Sequence, residues 1–396
     1  MRIGLDLRCL GNPDFVTRGV GRYILSLLPR MLETGNSVEF ILLVRGSEDR
    51  FLPAELSTHP RVRILHGGHT YHASKRGLLG QMVQLPLQLA RVKVHAWHFP
   101  FSEMAPPWLG KPYAVTIHDL IPVVHRPFYR GNKQLLFSLL QRGVYSGADR
   151  IIAVSAYSGS EVARRFHIPS KKITVIHHGV DAHTFFPVEP AVVRKRLHDL
   201  YGLEGPYFLY VGGFDQRKNV GRLVEVFAVL RAAYDLPHRL LIAGSLASGA
   251  VAVLKRVAQL RLQQNVLFLD YVEDDVLRLL YSGATALVFP SSMEGFGLPV
   301  LEALACGTPV ITFDNTSLRE VGGEAAIVLP DGDFDAFAEA MVAQASHKRS
   351  NPPEGAGIDA HLARFTWEQA AQATLQVYEE LCASVPRPRL ETGHSR

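Results

Sequence analysis

Cysteine is scarce in this chain. Three thiols in 396 residues, Cys9, Cys306 and Cys382, lie too far apart for a disulfide framework or a zinc site built on paired thiols. A reducing cytoplasm suits that usage. Long apolar runs are missing too, since no uninterrupted stretch approaches the about 20 residues that cross a bilayer. The first strand begins at Arg2-Ile-Gly-Leu-Asp-Leu7, so no signal peptide is expected ahead of it. No G-x-x-x-x-G-K-[ST] run occurs, which removes the Walker phosphate loop. Charge of one sign is modest. A net charge of +5 is compatible with anionic substrates or an acidic membrane surface, and too diffuse to point to nucleic acid.

What is present is alternation. Short, β-branched, nearly continuous apolar runs at 2–7, 38–44, 62–65, 96–99, 113–117, 150–154 and 173–176 read as strands buried on both faces. Between the first two, Val20, Tyr23, Ile24, Leu27 and Leu28 share one helix face, closed by Gly35-Asn36. The pattern breaks at the proline-punctuated His183-Thr-Phe-Phe-Pro187-Val-Glu-Pro190. It then restarts with strands at 207–211, 239–243, 266–269, 284–289, 309–313 and 326–329. An α/β chain of this kind forms two Rossmann-like, doubly wound parallel sheets. We expect an amino-terminal domain over 1–186, a carboxy-terminal domain over 187–365, a helix over 366–384 returning toward the first domain, and a flexible tail over 385–396. Ligands of open α/β sheets bind at the carboxyl ends of the strands, so a cleft between two such edges is the expected site.

The richest stretch is Pro290-Ser-Ser-Met-Glu294-Gly-Phe-Gly297-Leu-Pro299-Val-Leu-Glu302, followed by Ala-Leu-Ala-Cys-Gly307. A strand delivers a glycine loop, Pro299 suits the first helical position, and Gly307 suits the position past the helix end. The N–H groups of that helix start favour an anion such as phosphate. Glu302, one turn in, is placed to accept hydrogen bonds from vicinal hydroxyls such as a ribose, and Glu294 from a second polyol. The plain alternative is a surface loop with two solvated glutamates.

The first strand of the second half ends in Val211-Gly212-Gly213-Phe-Asp-Gln-Arg217-Lys218-Asn219. Two glycines admit a phosphate close to the backbone, Arg217 and Lys218 supply cations, and Asn219 is expected to cap the next helix. An ordinary turn with two solvated cations is the alternative. Thr17-Arg18-Gly19-Val-Gly21-Arg22 opens the first helix; lacking the third glycine of G-x-G-x-x-G, it is either a plain turn or a loop touching acceptor or phosphate. His118 follows a buried strand, as a structural histidine or a cleft residue. His177-His178-Gly179-Val-Asp181 reads mainly as turn chemistry. Asp331-Gly-Asp333 resembles a metal-holding D-x-D, yet the helix after it makes Asp333 an N-cap, so no metal is expected. The stretch from Arg126 to Arg142 combines cations with an apolar stripe, as a helix packed on the sheet or one resting on anionic lipid.

Glu294-Gly-Phe-Gly-Leu-Pro-Val-Leu-Glu302 resembles the E-x7-E signature of retaining GT-B glycosyltransferases of family 4, the glycosyl transferases group 1. Val211–Asn219 is similar to that family's phosphate loop, and Ile117-His118-Asp119 to its amino-domain histidine. Val154-Ser155-Ala-Tyr-Ser158, Gly179-Val-Asp181 and Phe365-Thr-Trp367 match as well, so the resemblance runs through most of the chain. It implies that Lys218, assisted by Arg217, holds the donor pyrophosphate beside Gly212 and Gly213, and that Glu302 binds the ribose. Glu294 with the backbone of Gly295, Phe296, Gly297 and Leu298 would bind the transferred sugar, and His118 would contact that sugar near its reacting carbon. Many members carry glycine–arginine where this chain has Gly212-Gly213, which leaves Arg217 or Arg18 to compensate. The resemblance further implies retention of configuration, a nucleotide-sugar donor, a glycan or lipid-linked acceptor, and no metal or other cofactor. Met1–Asp6, Gly19–Tyr23 and His118–Pro122 look most like bacterial mannosyltransferases of surface-polysaccharide assembly, so GDP-mannose is the expected donor. A UDP-sugar transferase, a GT-B-shaped nucleotide-sugar epimerase and a non-catalytic nucleotide-sugar-binding module are the alternatives.

Overall fold

Runs such as Tyr113-Ala-Val-Thr-Ile117, with every residue buried, have no polar face to give water and are too short for a helix, so they sit inside a sheet covered on both sides. The computed structural model describes residues 1–11, 19–35, 37–45, 52–67, 80–121, 132–246, 249–346 and 356–383. The chain divides into two compact units. One comprises Met1–Val154 and Ser158–His177 with the helix Trp367–Ala383; the other comprises Ser155–Tyr157 and His178–Thr366.

In the first unit seven strands form a parallel sheet: β1 (Arg2–Asp6), β2 (Glu39–Val44), β3 (Val62–His66), β4 (Ala96–Phe99), β5 (Tyr113–Ile117), β6 (Arg150–Ala153) and β7 (Ile173–Val175). Their order is β3-β2-β1-β4-β5-β6-β7. The second unit has β8 (Tyr207–Val211), β9 (Arg239–Ala243), β10 (Val266–Asp270), β11 (Ala286–Phe289), β12 (Val310–Asp314) and β13 (Ile327–Pro330), ordered β10-β9-β8-β11-β12-β13. Each sheet therefore reverses direction of growth once, between β1 and β4 and between β8 and β11. Those are the switch points at whose carboxyl edges doubly wound sheets open a ligand crevice. The expected fold class, two Rossmann-like parallel sheets, is what the chain adopts.

The helix Gly19–Thr34 buries Tyr23, Ile24, Leu27 and Leu28, the face its periodicity requires. Across it lies the last helix, Trp367–Ala383, which buries Trp367, Ala370, Ala371, Thr374, Tyr378 and Leu381 and also meets β4 and β6. Two ion pairs flank this contact, Arg30 with Glu368 at 3.3 Å and Arg150 with Glu380 at 3.0 Å. Their partners are solvent-exposed, and such pairs contribute about 0–1 kcal/mol each. The apolar stripe holds the helix. Among the described residues no helix is long and apolar enough to cross a membrane.

Candidate active site

The loops after β8 and β11, on either side of the second sheet's switch point, are stitched together. Gly212, at φ +149°, donates its N–H to Ala243 at 2.9 Å. Gly244 faces it so closely that a Cβ there would lie 1.9 Å from the Gly212 carbonyl oxygen, so glycine is required. A short turn, Gln216–Lys218, then leads into the helix Val220–Tyr234. Asn219 stands at that helix start with φ +54°, but its side chain makes no cap. It reaches across instead, and its Nδ2 donates to the Pro290 carbonyl at 3.0 Å. Ser292 donates both its N–H, at 2.8 Å, and its hydroxyl, at 3.1 Å, to the Arg217 carbonyl. The expected cap is replaced by a tie between loops, in which the Pro290 carbonyl at the end of β11 engages the side chain.

This stitching brings the charged side chains together. The Lys218 ammonium donates to Glu294 Oε1, while Arg217 Nη1 donates to Glu294 Oε2 at 3.2 Å and to the Met293 carbonyl at 2.7 Å. Arg217 Nη2 lies 3.6 Å from the half-exposed Asp215 carboxylate. Lys218 and Glu294 are 9% and 8% exposed, so the pair is buried. Burial lowers the Lys218 ammonium below its ordinary pKa, against the pull of Glu294. Burial also pushes the Glu294 carboxyl up, but Lys218 and Arg217 outweigh it and hold the group below the ordinary carboxylate range. Two cations thus meet one buried carboxylate at the edge of the sheet, with the half-exposed Asp215 beside Arg217. The sequence points to Lys218 for phosphate and Glu294 for sugar as separate sites; the structure joins them in one ion pair.

The Glu294 loop is braced from three sides. Glu294 N–H donates to Thr316 Oγ1 at 3.1 Å, Ser317 Oγ bonds the Glu294 and Phe296 carbonyls at 3.1 and 2.8 Å, and Ser155 Oγ donates to the Gly295 carbonyl at 2.8 Å. Gly297 takes φ +114° and caps the helix Leu298–Ala305, so the helix begins at Leu298 and Pro299 is its second residue, one later than the sequence suggests. Glu302, 5% exposed, accepts a hydrogen bond from the Tyr281 hydroxyl at 2.9 Å. Sequence reasoning missed the bracing. Ser155 lies in a stretch matched only as a family likeness, and the one signal available was the polar cluster Asn315-Thr-Ser317 just past β12 on the same edge.

In the first unit His118 follows β5, and its Nε2 meets the Pro100 carbonyl at 2.8 Å. A carbonyl only accepts, so Nε2 carries the hydrogen and Nδ1 the lone pair. Burial lowers this imidazole to about 4, partly countered by the Pro100 carbonyl, so it is neutral at pH 7. The Tyr23 ring meets His118 edge-on, with centroids 4.9 Å apart. Behind them runs a buried chain: His98 Nδ1 to Tyr378 hydroxyl at 2.6 Å, His98 Nε2 to Thr116 hydroxyl at 2.8 Å, and Thr116 to Tyr23 hydroxyl at 3.1 Å. Burial pushes His98 down to about 3. Gly19 and Gly21 open the helix Gly19–Thr34, while Arg18 lies outside the described residues.

Other candidates resolve into structure. Asp333 Oδ1 accepts from Ala336 N–H at 2.9 Å as a helix cap, and Asp331 accepts from Asn315 Nδ2. Asp181 holds a turn through His183 N–H at 3.0 Å and Thr184 Oγ1 at 3.1 Å. Of the basic stretch 126–142, residues 126–131 lie outside the described residues; from Asn132 it is helix, with Phe137 buried and Leu139 exposed.

Comparison with known proteins gives the following. The family profile of Glycosyl transferases group 1 matches residues 205–347, and that of Glycosyltransferase Family 4 matches residues 17–184. The O-antigen chain mannosyltransferase B of Escherichia coli is 26% identical over 374 residues, 92% of this chain and 96% of that one. A D-inositol 3-phosphate glycosyltransferase of Thermobispora bispora is 26% identical over 399 residues, covering 93% and 91%. Among solved structures, a sucrose-phosphate synthase from Thermosynechococcus elongatus superposes with a TM-score of 0.75 at 25% identity, over 97% of this chain and all of that one.

Proposed function

Because this chain belongs to the group 1, family 4 glycosyltransferases, we propose that it moves mannose from GDP-mannose to a hydroxyl of a glycan or lipid-linked acceptor, with retention at the anomeric carbon. The observation that carries this reading is the pair of cations, Lys218 and Arg217, closed on Glu294 at the switch point of the second sheet. The mannosyl choice rests on the similarity to a mannosyltransferase along nearly the full length of both chains.

In this reading the donor diphosphate enters beside Gly212 and Gly213 and competes with Glu294 for Lys218 and Arg217. As the bond from the sugar carbon to phosphate oxygen breaks, Lys218, Arg217 and the start of the helix Leu298–Ala305 stabilise the departing charge. The acceptor oxygen bonds to the same face of the carbon, and its proton passes to the leaving phosphate. A diphosphate that engages Lys218 frees Glu294 to accept from a hydroxyl of the transferred sugar, alongside the Gly295–Leu298 backbone. Glu302 takes the ribose hydroxyls. His118, neutral at pH 7, is the residue of the first unit that the family likeness assigns to the transferred sugar. The two lysine and arginine cations supply the charge that a divalent metal gives other transferases, so turnover is expected to survive EDTA. The three separate thiols suit a reducing cytoplasm, and anionic lipid is the expected peripheral partner of the basic stretch 126–142. Flotation with anionic vesicles tests that contact.

Two assays test the core of the reading. Melting in the presence of GDP or UDP reports the base, since a ligand at 100 times its Kd adds about 2.7 kcal/mol. A larger shift with UDP moves the assignment to the second reading, a UDP-sugar donor. Incubating GDP-mannose with an alkyl α-mannoside is expected to yield an α-linked product. Isomerised nucleotide sugar formed without acceptor overturns transfer in favour of epimerisation.

A further inference from the structure

Buried tyrosines of the second unit direct their hydroxyls to two kinds of acceptor. Tyr207 donates to the Leu280 carbonyl at 2.8 Å and Tyr210 to the Gly213 carbonyl at 2.7 Å, both on main chain. Tyr281 donates at 2.9 Å to Oε2 of Glu302, a side-chain carboxylate. A buried phenol needs an acceptor, and a carbonyl serves for stability alone. Spending it on a movable carboxylate fixes that carboxylate's direction.

We propose that Tyr281 is a positioning residue for ribose recognition: its hydroxyl holds the Glu302 carboxylate in the orientation that accepts the two vicinal ribose hydroxyls of the donor nucleotide. The inference rests on the assignment of Glu302 to the ribose. Glutamate has three side-chain torsions, and a diol is bound well by a carboxylate only when both oxygens face it, so a single held orientation avoids an ordering cost on binding. A hydrogen bond from a phenol to an ionised carboxylate is of the stronger, charge-assisted kind. A carboxylate has about four acceptor positions, so the bond from Tyr281 is compatible with bonds from the ribose.

Tyr281 is itself held. It is fully buried on the helix Asp274–Gly283, which packs on the helix Leu298–Ala305 that carries Glu302. Its carbonyl accepts from Thr308 Oγ1 at 2.5 Å, and its ring meets Phe185 edge-on with centroids 6.1 Å apart. Glu302 lies in the last turns of one helix and Thr308 just past its end, so the tyrosine is fastened to this segment at two points. Tyr281→Phe keeps the ring, the carbonyl bond and the packing, and removes only the hydroxyl.

The test is calorimetric binding of GDP and UDP, each against its 2′,3′-dideoxy counterpart, to the wild-type protein, Tyr281→Phe and Glu302→Gln. Using both bases separates the ribose question from the choice of base. Wild type is expected to prefer the ribose form, and Glu302→Gln to erase most of that preference. Tyr281→Phe is expected to weaken the ribose form roughly tenfold, the scale of a lost hydrogen bond to a charged group, while the dideoxy affinity stays within about twofold. That unchanged affinity also reports an intact fold. Equal loss for both forms, or no loss for either, overturns the role of Tyr281 while the Glu302 assignment stands. No ribose preference in wild type, with either base, overturns the Glu302 assignment and this inference with it.

Discussion

Two buried polar clusters sit at the carboxyl edges of the two sheets, and they are built from opposite materials. In the second unit the cluster is built of ions: Lys218 and Arg217 on the buried Glu294, with Asp215 beside Arg217. In the first unit Tyr378, His98, Thr116 and Tyr23 form a neutral chain of hydroxyls around a fully buried imidazole that burial holds at about 3. A buried ion pair is weak support for a fold, because desolvation of its charges offsets most of their attraction. Neutral, mutually satisfied hydrogen bonds cost less and specify one geometry. Under the proposed function, the contrast separates a cluster kept for a ligand from one kept for position. It also gives the returning helix a role, since Tyr378 ties it to the strands beneath His118.

The largest expected effect breaks the charged cluster. Lys218→Ala should lower kcat with GDP-mannose by about 10²–10³-fold, the cost of removing one charge-stabilising donor from a reacting site. Tyr378→Phe, in the neutral chain, should leave most of the rate and lower the melting temperature. A rate loss under tenfold for Lys218→Ala, measured on folded protein, erases the distinction between the clusters.

Glu294→Ala sharpens it. Without the carboxylate two cations are buried together, a change that costs about 3 kcal/mol in comparable pairs. Free GDP supplies a substitute anion, so GDP should raise the melting temperature of this variant more than that of wild type, while sugar transfer is lost. A smaller shift in the variant means that Glu294 does not compete with phosphate for Lys218.

Acid separates the clusters by sign. His98 has a folded pKa of about 3, depressed from its ordinary value near 6.5, so the unfolded chain takes a proton that the folded chain refuses. Its contribution is complete above pH 6.5 and declines as pH falls toward 3, at about 1.4 kcal/mol per pH unit. Glu294 is also depressed, but its contribution is present above the ordinary carboxylate range and is lost only at more acidic pH. Between pH 6.5 and 5 the loss therefore belongs to histidines, His98 with His118 and His238. Denaturant titrations of His98→Gln should show a shallower decline there than wild type; identical slopes mean that His98 already carries a proton in the fold.

The difference between the clusters also explains what could be read in advance. Both sheets were legible because buried parallel strands leave unmixed apolar runs, and the E-x7-E loop and Gly212–Lys218 because glycines and charges cluster at strand ends. The pairing of Lys218 with Glu294 was not, since it depends on which loops the strand order places side by side. Nor were Tyr281, Ser155 or His98: each makes a contact with a residue 21, 140 or 280 positions away, and no local period marks such a contact. Asn219 shows the same limit from the other direction. Its local role as a cap was sound, and a neighbouring strand end claimed its amide instead.

The smallest effect concerns an acidic group that belongs to neither cluster. Asp333 spends its carboxylate on the Ala336 N–H, at the start of the helix Phe334–Ser346. As a cap it should contribute about 1 kcal/mol, so Asp333→Ala should lower stability by that amount and Asp333→Asn, which caps equally well, by much less. Neither should change the rate of transfer or its response to EDTA if, as proposed, the charge that meets the diphosphate comes from Lys218 and Arg217. A metal held by Asp331 and Asp333 gives the reverse pattern: both variants lose turnover, EDTA abolishes it, and the asparagine does not rescue. The two substitutions therefore decide whether the second unit meets its anion with side-chain cations alone, which is the premise of the contrast with the neutral chain around His98.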